Sequence, residues 1–186
     1  MDPKNYDRLI EIYEALAAHG YREVGQEYLQ NVLDTAKQLD AYDSGRIYYY
    51  LGEYQKAYLA LDEARDKGGA DSYLYLGRAY AATGDYNYAS SVYNNYLSKQ
   101  GPNAEIYNEL GLCEMAKKEY QNALVAFQAG KQIEGNSLMQ TLCFNEIVAY
   151  EYLEDYQQAE VLMNAYLQNY PDDQTAIREQ QFLSTR

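Results

Sequence analysis

Apolar positions recur three and four residues apart along the chain, as at Leu9, Ile12, Tyr13 and Leu16, which is the spacing of one face of an α-helix. No long alternating run argues for strands, and prolines stand only at positions 3, 102 and 171, where they leave helix interiors unbroken. An all-α chain is therefore predicted. A longer period overlies the helical one. Aromatic residues at predicted turns, Tyr21, Tyr54, Tyr86, Tyr120 and Tyr156, are separated by 33, 32, 34 and 36 residues. An acidic residue (Glu53, Asp85, Glu119, Asp155) precedes four of them, where it can accept hydrogen bonds from the free amides opening the next helix. Three residues after the tyrosine comes Val24, Ala57, Ala89, Ala123 or Ala159, and four further on a bulky residue, Tyr28, Leu61, Tyr93, Phe127 or Met163. Gly45, Gly77 and Gly111 fall in the preceding helices. A small residue lets two backbones approach, and a large one opposite fills the remaining gap.

The clearest copy reads Tyr73-x-x-Leu76-Gly77-x-x-Tyr80, then Ala89-x-x-x-Tyr93, then Pro102. This resembles the tetratricopeptide repeat, a unit of about 34 residues with W-x-x-L-G-x-x-Y, A-x-x-x-F and P at these spacings. The resemblance implies a right-handed α-solenoid of about five helix-turn-helix units in one domain spanning 1–186. The units would run over 5–37, 38–69, 70–103, 104–139 and 140–173, with a capping helix over 173–186. That helix would start at Asp172 or Asp173 and cover the open end with Ala176, Ile177 and Leu183. The first copy has Ile12 and Ala15 where glycine and tyrosine are expected, and the fifth has Glu146 and Ile147 in place of Leu-Gly. Terminal repeats are expected to be atypical, because one face meets water instead of a neighbour. Glu114 stands where the pattern has tyrosine. The segment Gly130 to Asn136 makes one connection two residues longer than standard, through a longer helix or a looser turn.

Tyrosine dominates the aromatic composition, with 24 Tyr against 3 Phe and no Trp. Most occupy packing positions of the repeat, where the ring is buried and the hydroxyl reaches water or a carbonyl. Tyr49 and Tyr50 do not. In the family resembled, the first helix of each unit lines a concave face, and its inward positions form a stripe with helical spacing. Carried onto this chain, they give Leu9, Tyr13, Leu16, Tyr42, Arg46, Tyr49, Tyr50, Leu74, Tyr75 and Arg78 in the N-terminal half. The C-terminal half receives Glu105, Asn108, Glu109, Leu112, Met115, Phe144, Val148, Glu151 and Tyr152. Arginine beside tyrosine suits a peptide-binding patch, since the guanidinium stacks on rings and forks onto carboxylates. Tyr42, Arg46, Tyr49, Tyr50, Tyr75 and Arg78 are the candidate peptide-binding residues. The competing expectation is that Arg46 and Arg78 form ordinary surface ion pairs with Asp43 or Asp71. A groove for chaperone C-termini would need cations where this chain has Glu105 and Glu109, which argues against that ligand.

Catalytic chemistry is sparse, and the chain reads as a non-enzyme. His19 is the one histidine, at a turn, and no metal-binding spacing or phosphate loop occurs, so no cofactor or metal is expected. Glu105 and Glu109 share a helix face without a partner cation, which is a solvated face rather than an acid–base pair. Cys113 and Cys143 lie on adjacent first helices, offset by about six residues or ~9 Å along the axis. A disulfide needs Cα atoms within about 7 Å. Two buried free thiols are expected, which leans towards a reducing cytoplasm.

The net charge of −13 excludes nucleic acid as a natural partner and opposes anionic membranes. No apolar run reaches membrane-spanning length, and Met1 to Asn5 holds no signal-peptide core. A soluble protein is expected, with the cytoplasm slightly favoured over an exported bacterial lipoprotein-type domain whose leader has been removed. Two function classes survive. One is a scaffold that holds a peptide or helix of another protein in its concave groove, favoured as a monomer. The other is a self-association module, a homodimer working through end repeats or its convex face.

Overall fold

Eleven α-helices and no strand occur among the described residues, which are 6–36 and 39–186 of the computed structural model. In chain order the helices are α1 (Tyr6–Ala18), α2 (Arg22–Thr35), α3 (Ala41–Leu51), α4 (Tyr54–Asp66), α5 (Ser72–Ala82) and α6 (Tyr86–Gln100). They continue with α7 (Ala104–Ala116), α8 (Tyr120–Lys131), α9 (Met139–Tyr152), α10 (Tyr156–Asn169) and α11 (Gln174–Leu183). The expected boundary between the first two repeats, at 37 and 38, lies outside the described residues. The chain divides into two compact units, Met1–Asp85 and Tyr86–Arg186. Within each unit, sequence neighbours pack as helix-turn-helix pairs, the arrangement of an α-solenoid.

The α1–α2, α3–α4, α5–α6, α7–α8 and α9–α10 turns each use one residue in the left-handed region. Gly20, Gly52 and Gly84 take φ of 84°, 77° and 84°, and Lys118 and Glu154 take 64° and 61° at the corresponding places. These five turn residues fix the register of the repeat. Tyr54, Tyr86, Tyr120 and Tyr156 each follow their turn residue by two positions, whereas Tyr21 follows Gly20 by one. The first copy therefore aligns on Arg22, and the sequence expectation was one residue early there. Burial agrees: Tyr21, Val24 and Tyr28 are 59%, 54% and 39% exposed, while Gly25 and Leu29 are buried. The corresponding first-helix residues are Tyr13 and Leu16, not Ile12 and Ala15.

Unit 1 builds its core from Leu9, Ile10, Tyr13, Leu29 and Ile47. In its second pair a Cβ on Gly45 would stand 2.6 Å from Leu61 Cγ, so α3 and α4 touch through a missing side chain. The first pair reverses the sizes, with the large Tyr13 on α1 and a glycine, Gly25, on α2. Tyr58 of α4 stacks on Tyr80 of α5 with centroids 4.2 Å apart and planes 5° apart.

Unit 2 has one cluster around Phe127 and Leu142 and another around Ile147, Met163, Tyr166, Ala176 and Leu183. α6 presents Ser90 where α4 presents Tyr58, and α7 answers with Glu114. Buried Glu114 accepts a hydrogen bond from Ser90 Oγ at 2.8 Å and pairs with Lys117 at 2.6 Å. A polar pair thus replaces a ring pair, which accounts for the missing tyrosine. Glu146 is buried on the same logic: it accepts from Gln128 Nε2 at 2.8 Å and is ion-paired with Lys131. The long connection is a looser turn, since α8 stops at Lys131 and Gly135 takes φ of 68°. Asp173 caps α11 through the amides of Thr175 and Ala176, and Ala176 and Leu183 are buried beneath that helix as expected. Asp155 also caps its helix, but Glu53 and Glu119 make no side-chain cap bond. The glutamate at 53 is drawn instead into an ion pair with Lys56.

Candidate functional site

Tyr75 on α5 is the hub of the tyrosine-rich face of unit 1. Its ring lies 6.1 Å from Tyr42, 5.8 Å from Tyr49 and 6.0 Å from Tyr50, all edge-on. Edge-on packing suits rings whose positive rim meets a negative face. Tyr50 also packs on Tyr13 at 4.9 Å and on Tyr49 at 5.0 Å, and donates its hydroxyl proton to Glu14. Burial pushes the Tyr42 phenol up to about 12 and the Tyr50 phenol higher still, where the hydrogen bonds to Glu14 and Tyr75 add to it. Both hydroxyls stay protonated at neutral pH, and that of Tyr50 is the donor to Glu14.

The two arginines differ. Arg46 is 6% exposed, ion-paired with Asp43 and with Asp7 at 2.6 Å, and its guanidinium lies 4.4 Å over the Tyr42 ring. Burial works against its charge, and the hydrogen bonds to Asp43 and Asp7 outweigh that cost and raise its pKa. Arg46 does pair with Asp43, but the pair is buried and not the surface ion pair expected. Arg46 is therefore a positioning residue that braces α1, α3 and the Tyr42 and Tyr75 rings. Arg78 is half-buried and lies 5.5 Å over the Tyr75 ring. All six candidate residues converge in unit 1, and Tyr42, Tyr49, Tyr50 and Arg78 are the half-buried members beside the buried Arg46 and Tyr75. Tyr13 belongs to the core and not to the face.

In unit 2 the expected inward residues are mixed. Asn108 is buried and accepts from Asn145 Nδ2 at 2.9 Å, while Leu112 and Tyr152 are 42% and 58% exposed. Glu151 is half-buried with no partner for its buried Oε1, and burial together with Glu179 raises its carboxyl to about 7. Both cysteines are free thiols; Cys113 is buried and Cys143 only half so. Burial raises both, Cys113 to about 12, so neither is an activated nucleophile. Among the described residues no group of three or more His, Cys, Asp or Glu side chains could hold a metal ion. No described helix is long and apolar enough to cross a membrane.

The tetratricopeptide repeat family model matches residues 42–89, which contain all six candidate residues. The chain carries tetratricopeptide repeats. Solved structures extend the likeness to nearly the whole length. A thermophilic tetratricopeptide repeat protein of Thermus thermophilus superposes with a TM-score of 0.73 at 15% identity, over 97% of this chain and 100% of that one. A tetratricopeptide repeat protein of Parabacteroides merdae gives 0.67 at 18% identity, over 96% and 72%. Cut9, in its complex with Hcn1, gives 0.62 at 18% identity over 97% of this chain and 40% of its own. At these identities the likeness establishes the fold, one that serves generally as a protein–protein interaction scaffold. No match to a curated protein was found.

Proposed function

We propose that this repeat protein is a non-enzymatic scaffold whose unit 1 holds a peptide or helix of a partner protein on the face formed by Tyr42, Arg46, Tyr49, Tyr50, Tyr75 and Arg78. The observation that carries the reading is the convergence of four tyrosines and two arginines in a chain of net charge −13. Tyrosine gives large contact area at low entropic cost, and tyrosine and arginine are both enriched among the residues that dominate binding energetics at protein interfaces. Arg46 braces the rings, while Tyr49, Tyr50 and Arg78 contact the ligand. That the structural relative Cut9 is found in a complex with Hcn1 agrees with a partner-binding role. A benzophenone side chain placed at position 49 tests the proposal. It should crosslink to a partner polypeptide in native lysate, and Arg78→Ala should weaken that crosslink. Crosslinking from the exposed Leu59 position and not from 49 would overturn it.

Self-association is the second reading, supported by the exposed Tyr21 at the start of α2 and Val24 and Tyr28 on it. Sedimentation velocity separates the two: a scaffold remains monomeric, and a self-associating chain forms a dimer that Val24→Asp and Tyr28→Asp dissolve.

A further inference from the structure

In unit 2 the turn aromatic of one pair covers a ring of the next. Tyr120 stacks on Tyr152 with centroids 5.0 Å apart and planes at 26°. Tyr152 stands four residues before the following turn aromatic, Tyr156, and Tyr50 bears the same relation to Tyr54. Tyr120 stands two residues after the left-handed turn residue Lys118, and Arg22 stands two after Gly20. Unit 1 therefore has Arg22 and Tyr50 where unit 2 stacks Tyr120 on Tyr152. A cleft of about 350 Å³ opens at that place, lined by both residues together with Tyr13, Gln26, Tyr49 and Tyr54.

Arg22 is exposed and has neither a carboxylate nor a ring as partner among the described residues. Other arginines of unit 1 are committed: Arg8 to Glu11, Arg46 to Asp7 and Asp43, Arg65 to Asp62 and Asp66. With 28 acidic residues against 15 basic ones, an arginine left without a carboxylate departs from Arg8, Arg46 and Arg65 of the same unit. Glu14 also borders the cleft, but it accepts the Tyr50 hydroxyl proton. Arg22 is thus the uncommitted charge of the wall.

We infer that this cleft takes an aromatic side chain of the partner peptide and that a neighbouring carboxylate of the same peptide pairs with Arg22. The incoming ring replaces the turn aromatic that this pair lacks and packs against Tyr50. The carboxylate accepts the guanidinium fork, and a cationic neighbour at the same place is repelled. The inference rests on the peptide-binding reading of the unit 1 face and adds a specificity pocket with a residue of its own.

The test uses the full chain and three capped, fluorescein-labelled octapeptides: Phe alternating with Glu, Phe alternating with Lys, and Ala alternating with Glu. Anisotropy titrations are run at about 0.15 M salt, where screening over ~8 Å suppresses the general attraction of an acidic protein for the Lys peptide. The Phe–Glu peptide should bind about tenfold or more tighter than either other peptide. Arg22→Tyr fills the cleft and should remove that binding about tenfold or more, with the melting temperature kept or raised. Arg22→Gln, which leaves the cleft open, should remove only the preference for Glu over Lys. Equal or tighter binding of the Phe–Lys peptide, or wild-type binding by Arg22→Tyr, overturns the inference. If Arg78→Ala weakens the position 49 crosslink while Arg22→Tyr leaves both crosslink and peptide binding intact, the face stands and the cleft falls. If Arg22-dependent peptide binding persists while Arg78→Ala leaves the position 49 crosslink unchanged, the cleft stands and the wider face falls.

Discussion

The Tyr13 ring occupies the space that a side chain on Gly25 would need: a Cβ there would stand 2.9 Å from Tyr13 Cδ2. Elsewhere the glycine sits on the first helix, and a Cβ on Gly111 would meet three carbons of the Phe127 ring at 2.3 to 2.7 Å. The two arrangements are size-reversed solutions of one contact. Both glycine-to-alanine variants should destabilise through overpacking, by about 1–3 kcal/mol. Gly111→Ala should cost more, because the Phe127 ring is fully buried and has no free direction in which to move. Urea denaturation of the two variants measures this, and a neutral Gly111→Ala would contradict the packing.

Lys118 and Glu154 hold φ of 64° and 61° at turns where the other pairs have glycine. A side chain in this region costs about 1 kcal/mol or more, and glycine does not incur it. Lys118→Gly and Glu154→Gly should therefore each raise stability, by somewhat under that amount because glycine also loosens the unfolded chain. Gly84→Ala should lower it. Thermal melts of the three variants give the signs.

Glu151 gives unit 2 a pH dependence. Its carboxyl is raised from 4.5 to about 7, by burial first and by Glu179 second. With the folded value above the unfolded one, the native state holds the proton more tightly. The stability this confers is full below pH 4.5 and is lost as pH rises towards 7. Glu151→Gln should match wild type near the acid end of that window and exceed it above. The gap should be about 1 kcal/mol once solvent screening of a half-exposed group is allowed for. Chemical denaturation across the pH series tests this, and a gap of constant size would exclude titration of Glu151 as its source.

The helical class, the longer period and the α11 cap were legible because each is written in periodic or local chemistry: Leu61 against Gly45, Phe127 against Gly111, Asp173 before Thr175. The register of the first copy was not, since Tyr21 imitates a turn aromatic. The better marker was the series Gly20, Gly52, Gly84, whose spacing of 32 and 32 is regular where the tyrosine series begins with 33. Glu114 was opaque for a different reason: its partner, Ser90, lies 24 residues away on another helix. At the candidate face, helical spacing singled out six residues that lie together in unit 1. It could not tell a buried brace from a ligand contact, because the Arg46 pairing with Asp7 spans 39 residues of sequence.

Arg46 and Arg78 should accordingly separate in their effects. Arg46→Ala removes the partner of Asp43, a carboxylate that is only 16% exposed, and strips support from the Tyr42 ring. Breaking a buried pair from one side typically costs about 3–5 kcal/mol. Here the cost should fall near or below the lower end, because Asp7 is 79% exposed and regains water, and because the buried Arg46 Nε already lacks an acceptor. Burial also raises Asp43, so part of the loss is recovered by protonating it. The destabilisation should therefore be smaller at pH 4 than at pH 7. Arg78→Ala should cost about 1 kcal/mol or less at either pH, since its contacts, the Tyr75 ring among them, are half-open to water. Its effect should appear in partner crosslinking from position 49. Equal destabilisation by the two variants, with no pH dependence in Arg46→Ala, would refute the division of labour between brace and contact.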